Sequence, residues 1–233
     1  MCGRFAIDDD VNAAIAAWVE STGRNWREWE PWSTWNLKPT QTMPILLETL
    51  DDGEITRRVS TARWSLVPPW AKDLKLKFPT FNARAEQIAE KATWKGPLKS
   101  RRALVPAAGY FEWRTGEDGT KVPHWIHAPG GVPVFFAGLY SWWKPKGGES
   151  PEWLLTATIL TRPSAGPVAG LHDRAPLILP ESVQEEWLDP GTEGTQPLVD
   201  AMVDAAAPVI EELEFHAVGP LRGDGPELIR PVG

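Results

Sequence analysis

The chain has 233 residues, 42% hydrophobic and 24% charged, with a formal net charge of −7, a balance that fits one large globular domain or two small ones and excludes a disordered chain. A single cysteine excludes an internal disulfide and suits a reducing compartment. No run reaches the ~20 apolar residues that cross a bilayer, since the longest candidate, Val132 to Trp143, is interrupted by Pro133 and Ser141.

Taken in chain order, residues 3–7 read as a short strand. Asp8 to Val19 reads as a helix with aspartates at its positive end. Trp26, Trp29, Trp32 and Trp35 recur every three residues, but Pro31 breaks any helix there, so an irregular aromatic segment is expected. Strands follow at 43–48 and 55–64, joined by the hairpin signal Asp51-Asp52-Gly53. Residues 68–81 form a loop rich in Pro and Lys. Asn82 to Lys91 is predicted helical, with a second short helix near 92–99. The pattern then turns to strands at 102–106, 109–114, 122–127, 133–141 and 152–160, with turns at Gly116 to Gly119 and at Gly147-Gly148. A loop at 161–175, helices at 181–188 and 196–206 and a strand at 212–217 complete the domain. The Gly/Pro-rich tail from 219 reads as loosely attached. The fold class is α+β: a single β-rich domain, 1–217, of mostly antiparallel sheets in a barrel-like arrangement with peripheral helices, followed by a tail, 218–233.

Charge is unevenly spread. Between Arg57 and Arg102 twelve Lys and Arg face three acids (Asp73, Glu86, Glu90), a net of +9 that leaves −16 for the remainder. From Glu181 onward there are twelve acids and two arginines. A basic face on an acidic body suits a phosphate chain; scattered solvated lysines are the bland alternative.

Cys2 carries the most specific chemistry. An initiator Met before a small residue is usually removed, and the mature chain then begins with a cysteine whose amine and thiol sit on adjacent carbons. Their ordinary pKa values, about 7.7–8.0 and about 8.5, leave each a reactive fraction near neutrality. The amine can condense with an aldehyde to an imine, and the thiolate can then close a five-membered thiazolidine. Gly3 permits close approach of a ligand or backbone, and Arg4 offers a planar fork to a phosphate. Asn82 would cap the predicted helix, and Arg84 at such a helix start is better explained by a partner anion. Glu112 lies between Phe111 and Trp113 on a predicted strand, where aromatic surroundings would raise a carboxyl pKa as a general acid needs; an exposed Glu or one paired with an arginine is the bland alternative. His172, in the loop Leu171 to Pro176, can shuttle protons. His124 and His127, three apart on a strand, point to opposite faces and are not read as metal ligands.

Taken together, these motifs resemble the SRAP proteins (SOS response-associated peptidases), also described as abasic-site processing proteins. The resemblance runs from Met1 to about residue 217. It rests on Met1-Cys2-Gly3-Arg4-Phe5, Trp35-Asn36-Leu37-Lys38-Pro39-Thr40, Arg63 to Trp70, Phe81-Asn82-Ala83-Arg84-Ala85-Glu86, Arg102 to Pro106, Gly109 to Trp113, Ala137 to Tyr140 with Trp142, and His172-Asp173-Arg174-Ala175-Pro176. Ser65 stands where the family usually has Gly, and Ala175 where it usually has Met. Val218 to Arg222 lacks the Asn the family commonly places there. The resemblance implies a β-rich fold with Cys2 in a DNA-binding cleft. It implies a thiazolidine bond to the ring-opened aldehyde of an abasic site in single-stranded DNA or at a single-strand/duplex junction. It implies Cys2 as nucleophile, Asn82 as positioning group, and Glu112 and His172 as proton carriers. Arg4, Arg84 and Arg174 would meet phosphates, and Pro39 and Trp70 would lie against the strand. No cofactor or metal is expected, and the expected protein is a cytoplasmic, nucleoid-associated monomer. Two other readings stand beside it: a Cys2-dependent peptidase acting on itself or on other proteins, and a non-covalent single-strand binder using Trp and Arg.

Overall fold

The computed structural model describes residues 2–21, 30–145 and 152–232. Trp26 and Trp29 of the aromatic repeat, and the Gly147-Gly148 turn, lie outside the described residues.

The chain begins with a wholly buried strand, β1 (Phe5–Ile7), followed by α1 (Asp9–Glu20). Asp8 caps α1, its carboxylate accepting the Val11 amide at 2.9 Å, and Val11, Ile15 and Val19 form the buried stripe. After β2 (Thr34–Leu37), β3 (Thr42–Asp51) and β4 (Glu54–Trp64) pair antiparallel from Thr42 opposite Arg63 to Asp51 opposite Glu54. The turn between them puts Asp52 and Gly53 at φ 51° and 83°, the left-handed backbone that a two-residue hairpin demands.

Asn82 to Lys91 is not a helix. Asn82–Arg84 is a strand, β5, parallel to the later β10, and Ile88–Glu90 is a single 3₁₀ turn entered through Gln87 at φ 56°. Burial decides the matter: Ala83 and Ala85 are buried while Arg84 and Glu86 are exposed, a period of two that overrides the helix propensity of alanine. Then come α2 (Ala92–Ser100), β6 (Arg102–Ala107), β7 (Gly109–Thr115), β8 (Lys121–His127), β9 (Val134–Trp143) and β10 (Leu154–Pro163). The expected loop at 161–175 is shorter, because β10 runs on to Pro163 and pairs with β11 (Arg174–Pro176). The helices α3 (Glu181–Leu188), α4 (Gln196–Ala205) and α5 (Ala207–Glu211) precede β12 (Glu214–Ala217). Among the described residues no helix is long and apolar enough to cross a membrane.

The strands form two sheets. The first, in the order β12-β8-β7-β1-β2, is antiparallel throughout. In the second the path β10, β4, β3, β6, β9 returns to β10, so its pairing closes into a ring; β10 is parallel to β4 and β5 and antiparallel to β9. The sheets meet at Phe5, whose ring lies 5.1 Å from Trp64 and 6.0 Å from Phe136 across the interface, while Tyr110 contacts Phe136 at 6.1 Å. Edge-to-face pairs of this kind contribute about 0.5–1.5 kcal/mol each beyond the area they bury.

The tail is tied down. Val218 pairs with Pro231, Val232 donates its amide to the Ala217 carbonyl at 3.0 Å, and Leu228 is buried. The twelve basic residues between 57 and 102 also do not form one face. Arg57 lies over Trp18 and pairs with Glu48 and Glu185 at 3.0 and 2.9 Å. Arg102 is buried, and its guanidinium donates to the carbonyls of Leu98, Lys99, Trp187, Asp189 and Thr192 at 2.5–3.0 Å. It fastens α2 to α3 and the segment behind it. Arg102→Met should therefore strand several buried carbonyls and cost about 3 kcal/mol or more in urea unfolding. A cost under about 1 kcal/mol would show that these carbonyls find water instead.

Candidate functional site

The site grows from the β1–β7 pairing. Phe5 stands opposite Tyr110 and Ala6 opposite Gly109, and the Phe111 amide donates to the Arg4 carbonyl at 2.9 Å. Continuing that register sets Gly3 opposite Glu112, so the start of the chain is laid along the strand that carries the carboxylate. Side chains alternate along β7. Phe111 packs at a tilt against Trp125, with ring centroids 4.8 Å apart, and Trp113 lies under the Arg4 guanidinium at 5.3 Å. Tyr110 and Glu112 face the other way.

Cys2 is fully buried and Glu112 is 3% exposed. Burial pushes the Cys2 thiol well above the ordinary thiol range, and the Glu112 charge pushes it further. Its sulfur lies 3.9 Å from the Arg4 carbonyl, to which the thiol donates. Burial likewise raises the Glu112 carboxyl, against an opposing pull from His172. The Tyr110 hydroxyl is raised by burial and by both Cys2 and Glu112, which brings it into the same field.

Asn82 reaches Cys2 from the second sheet. Its Nδ2 donates to the Cys2 carbonyl at 2.7 Å. This depends on β5 being a strand, since pairing of Asn82 with Ile159 on β10 fixes the reach. The Asn82 Oδ1 is buried and has no hydrogen-bond partner among the described residues. His172 follows the 3₁₀ turn Gly166–Gly170. Its Nδ1 lies 3.0 Å from the Arg174 amide and 2.7 Å from the Asp173 carboxylate. One nitrogen cannot accept from the first and donate to the second at once. Without a proton, Nδ1 accepts from Arg174; with one, it donates to Asp173.

Arg174 is buried on β11 and holds Glu86 in a fork, at 2.5 and 2.8 Å, while its Nη2 also donates to the Thr161 carbonyl at 2.7 Å. That fork holds the Glu86 carboxyl below its usual range. The expected phosphate contact is thus already engaged with a carboxylate, whereas Arg84, two residues earlier on β5, is exposed. Pro39 lines a groove of 490 Å³ with Thr40, Arg63, Ser65 and Phe81, the residue before Asn82. Trp70 lines an adjoining groove of 460 Å³ with Pro68, Lys72 and Thr93, and the two grooves share Lys75 to Phe78. A larger cavity of 730 Å³ between α1 and residues 128–135 contains none of the expected site residues.

The structure therefore brings Cys2, Asn82, Glu112 and His172 into one electrostatic neighbourhood, with Arg4 beside it. Three contributors escaped the sequence reading: Tyr110, Phe78 and Asn36, whose Oδ1 accepts from the Arg4 guanidinium at 3.3 Å. Asn36 lay inside a motif already singled out, so a signal existed. Tyr110 also lay inside a singled-out motif, two residues before Glu112 on the same face of β7.

The family model for SOS response associated peptidase (SRAP) matches residues 1–221. The chain is 33% identical over 234 residues to the abasic site processing protein YoqW of Bacillus subtilis, covering 98% of this chain and 99% of that one. It is 36% identical over 190 residues to YoaM of the same organism, also named an abasic site processing protein, covering 82% and 80%. Abasic site processing protein HMCES of Rattus norvegicus is 29% identical over 277 residues, covering 100% of this chain and 76% of that one. A crystal structure of a Bacteroides thetaiotaomicron protein superposes with a TM-score of 0.75 over 99% of this chain and 100% of that one, at 20% identity. A phage-related protein of Bordetella bronchiseptica does so with 0.67 over 93% and 94%, at 28% identity.

The raised Glu112 carboxyl predicts a pH-dependent stability. Folded Glu112 keeps its proton to higher pH than an unfolded glutamate, so the folded state binds more protons. The stability this position contributes is present at low pH and is lost as pH rises past the unfolded value of about 4.3. Gln at this position is neutral throughout. Glu112→Gln should therefore gain stability relative to wild type in urea unfolding as pH is raised from about 4 to about 7. A difference independent of pH would show that the carboxyl is not desolvated.

Proposed function

The chain belongs to the SOS response associated peptidase family, and from that premise we propose that it processes abasic sites in single-stranded DNA, or at single-strand/duplex junctions, by bonding covalently to them through Cys2. The observation that carries this reading is the burial of Cys2 against a buried Glu112 of raised pKa, with its carbonyl held by Asn82. The relatives' names supply the lesion. The N-terminal amine and thiol supply a chemistry that suits its aldehyde.

The steps assign each side chain a task. Removal of Met1 gives Cys2 a free α-amine. The closed sugar opens to its aldehyde when the ring oxygen gains a proton, which a protonated Glu112 can give. The amine adds to the aldehyde carbon, and the resulting carbinolamine loses its hydroxyl as water, leaving an imine. The thiolate then adds to the imine carbon; a carbon–sulfur bond forms, the imine π-pair returns to nitrogen, and a proton completes the thiazolidine. His172 is suited to carry protons between these steps. The Asn82 Oδ1 offers an acceptor to the amine or to a sugar hydroxyl.

The grooves suit a single strand. Trp70 and Phe78 are 57% and 55% exposed on a loop that also carries Lys72, Lys75 and Lys77. Aromatic faces among cations bind unpaired bases and phosphates without demanding a sequence. Arg63 lines one of these grooves, Arg4 and the exposed Arg84 are proposed to add positive charge toward Cys2, and the chain is proposed to act as a monomer without a cofactor. A general cysteine peptidase is less well supported, because a nucleophilic thiol needs a lowered pKa, and here burial and Glu112 raise it.

Cys2→Ala should abolish the band that migrates above free protein on a denaturing gel with abasic oligonucleotide. Cys2→Ser should retain at most an imine that borohydride traps. Glu112→Gln and His172→Ala should slow the adduct by ~10²–10⁴-fold without preventing it, as loss of general acid–base help does. A tagged chain whose Cys2 amine is blocked must not react; adduct from it would sink the mechanism. Affinity for single strands should fall with salt, with a log–log slope of about −0.7 per phosphate neutralised. A flat response would remove the DNA partner.

A further inference from the structure

We propose that Asp224, in the segment after β12, is a positioning residue for the reacting N-terminal segment and acts through Asn36 and Arg4. The chemistry it serves is that of the covalent reading above, on which the proposal rests.

The contacts form an unbroken path. The Asp224 carboxylate accepts the Trp35 amide at 2.5 Å and the Thr34 hydroxyl at 3.0 and 3.1 Å. Gly223, at φ 83°, turns its carbonyl onto Asn36, whose Nδ2 donates to it at 2.9 Å. Asn36 is buried, and its Oδ1 accepts from Arg4. Arg4 lies over Trp113, the neighbour of Glu112, and its carbonyl receives both the Phe111 amide and the Cys2 thiol.

Two features show why a tether is needed. First, among the described residues β2 is the outer strand of its sheet, so the Trp35 amide meets no further strand there, and the carboxylate fills that place. Second, the β1–β2 register shifts between Phe5 opposite Leu37 and Ile7 opposite Thr34, the span that contains Trp35 and Asn36. The ladder therefore does not fix the Asn36 side chain by itself. The Gly223 carbonyl does. It can only accept, so it holds the amide with Nδ2 outward and Oδ1 toward Arg4; the flipped amide would set donor against donor at Arg4 and acceptor against acceptor at Gly223. Asp224, adjoining Gly223 and clamped to Thr34 and Trp35, holds that carbonyl in place.

The test uses full-length protein whose loss of Met1 is verified by intact mass, in five forms: wild type, Asp224→Ala, Asp224→Asn, Arg4→Ala, and Arg4→Ala with Asp224→Ala. One readout is the rate of adduct formation with excess abasic single-stranded oligonucleotide. The other is the rate at which iodoacetamide alkylates the thiol without DNA, which is unambiguous because the chain has one cysteine. Asp224→Ala should slow the adduct about fivefold and speed alkylation at least about threefold, whereas Asp224→Asn, which keeps an acceptor for the Trp35 amide, should stay within about twofold of wild type. On the Arg4→Ala background, Asp224→Ala should add less than about twofold to either rate. Thr34→Val, which removes one donor from the carboxylate, should move both rates in the same directions by less, and serves if Asp224→Ala does not fold. The tether is overturned if Asp224→Ala and Thr34→Val leave both rates unchanged. It is overturned equally if Asp224→Asn is as impaired as Asp224→Ala, or if the effect survives undiminished without Arg4. If wild type forms no adduct, the covalent reading falls, and the alkylation rates still decide whether Asp224 holds the Cys2 segment.

Discussion

The rest of the structure depends on the insertion of three buried residues, Phe5–Ile7, between β2 and β7. Residues near a chain end are ordinarily poorly ordered, because they are tethered on one side only. Here hydrogen bonds on both sides of β1 and the wedge of Phe5 against Trp64 and Phe136 supply the missing constraint. Everything offered to Cys2 follows from it. The β7 ladder carries Glu112 alongside, and the second sheet delivers Asn82 through β5. A fold that left β1 at an edge would give Cys2 no defined surroundings.

Burial around Cys2 acts on two groups in ways that serve one order of events. It holds the Glu112 proton, which suits an acid that must open a sugar ring and help expel water. It also holds the Cys2 proton, which keeps the thiol from reacting first. On the proposed reading the amine condenses first, and the thiol is called on only when an electrophilic imine carbon stands one ring-closure away. The intramolecular position then offsets a thiol that is a poor nucleophile toward anything arriving from solution. The same desolvation that argues against a general peptidase therefore fits a chemistry in which sulfur closes a ring.

What the sequence disclosed tracks the range of the physics involved. Local signals held: the acidic start of α1, the Asp52-Gly53 hairpin, the strands from 102 to 160 and the helices near 181 and 196 are each written within a few residues. Where the structure departs, a distant partner overrode the local signal. Asn82–Arg84 is a strand because β10 is there to pair with it, and the tail is held because Ala217, Trp35 and Asn36 receive it. Of the site, the raised carboxyl of Glu112 was legible from its aromatic neighbours, whereas the Cys2 thiol, expected to be partly ionised near neutrality, is held protonated by burial. The contact between Asn82 and the Cys2 carbonyl was not legible, for it joins residues 80 apart in sequence. The fork between Arg174 and Glu86 spans 88.

The basic segment shows what decides whether a positive charge is structural. Arg57 and Arg102 are turned inward onto carboxylates or backbone carbonyls, as is Arg174 beyond the segment. A planar fork with five donors, weakly hydrated, can satisfy several acceptors at once without heavy desolvation cost. Lysine, a compact and strongly hydrated charge, is poorly suited to that use. Lys72, Lys75 and Lys77 accordingly stay on the surface beside Trp70 and Phe78. The consequence for recognition is direct. Point charges meet phosphates without reading base edges, and exposed aromatic faces stack on any base. A surface so composed discriminates poorly among sequences. On the proposed reading that is what the task requires, since an abasic site has lost the base that would otherwise be read. Selectivity then resides in the one group that an intact strand lacks, an aldehyde, and in the one place on this chain where an amine and a thiol are held ready to meet it.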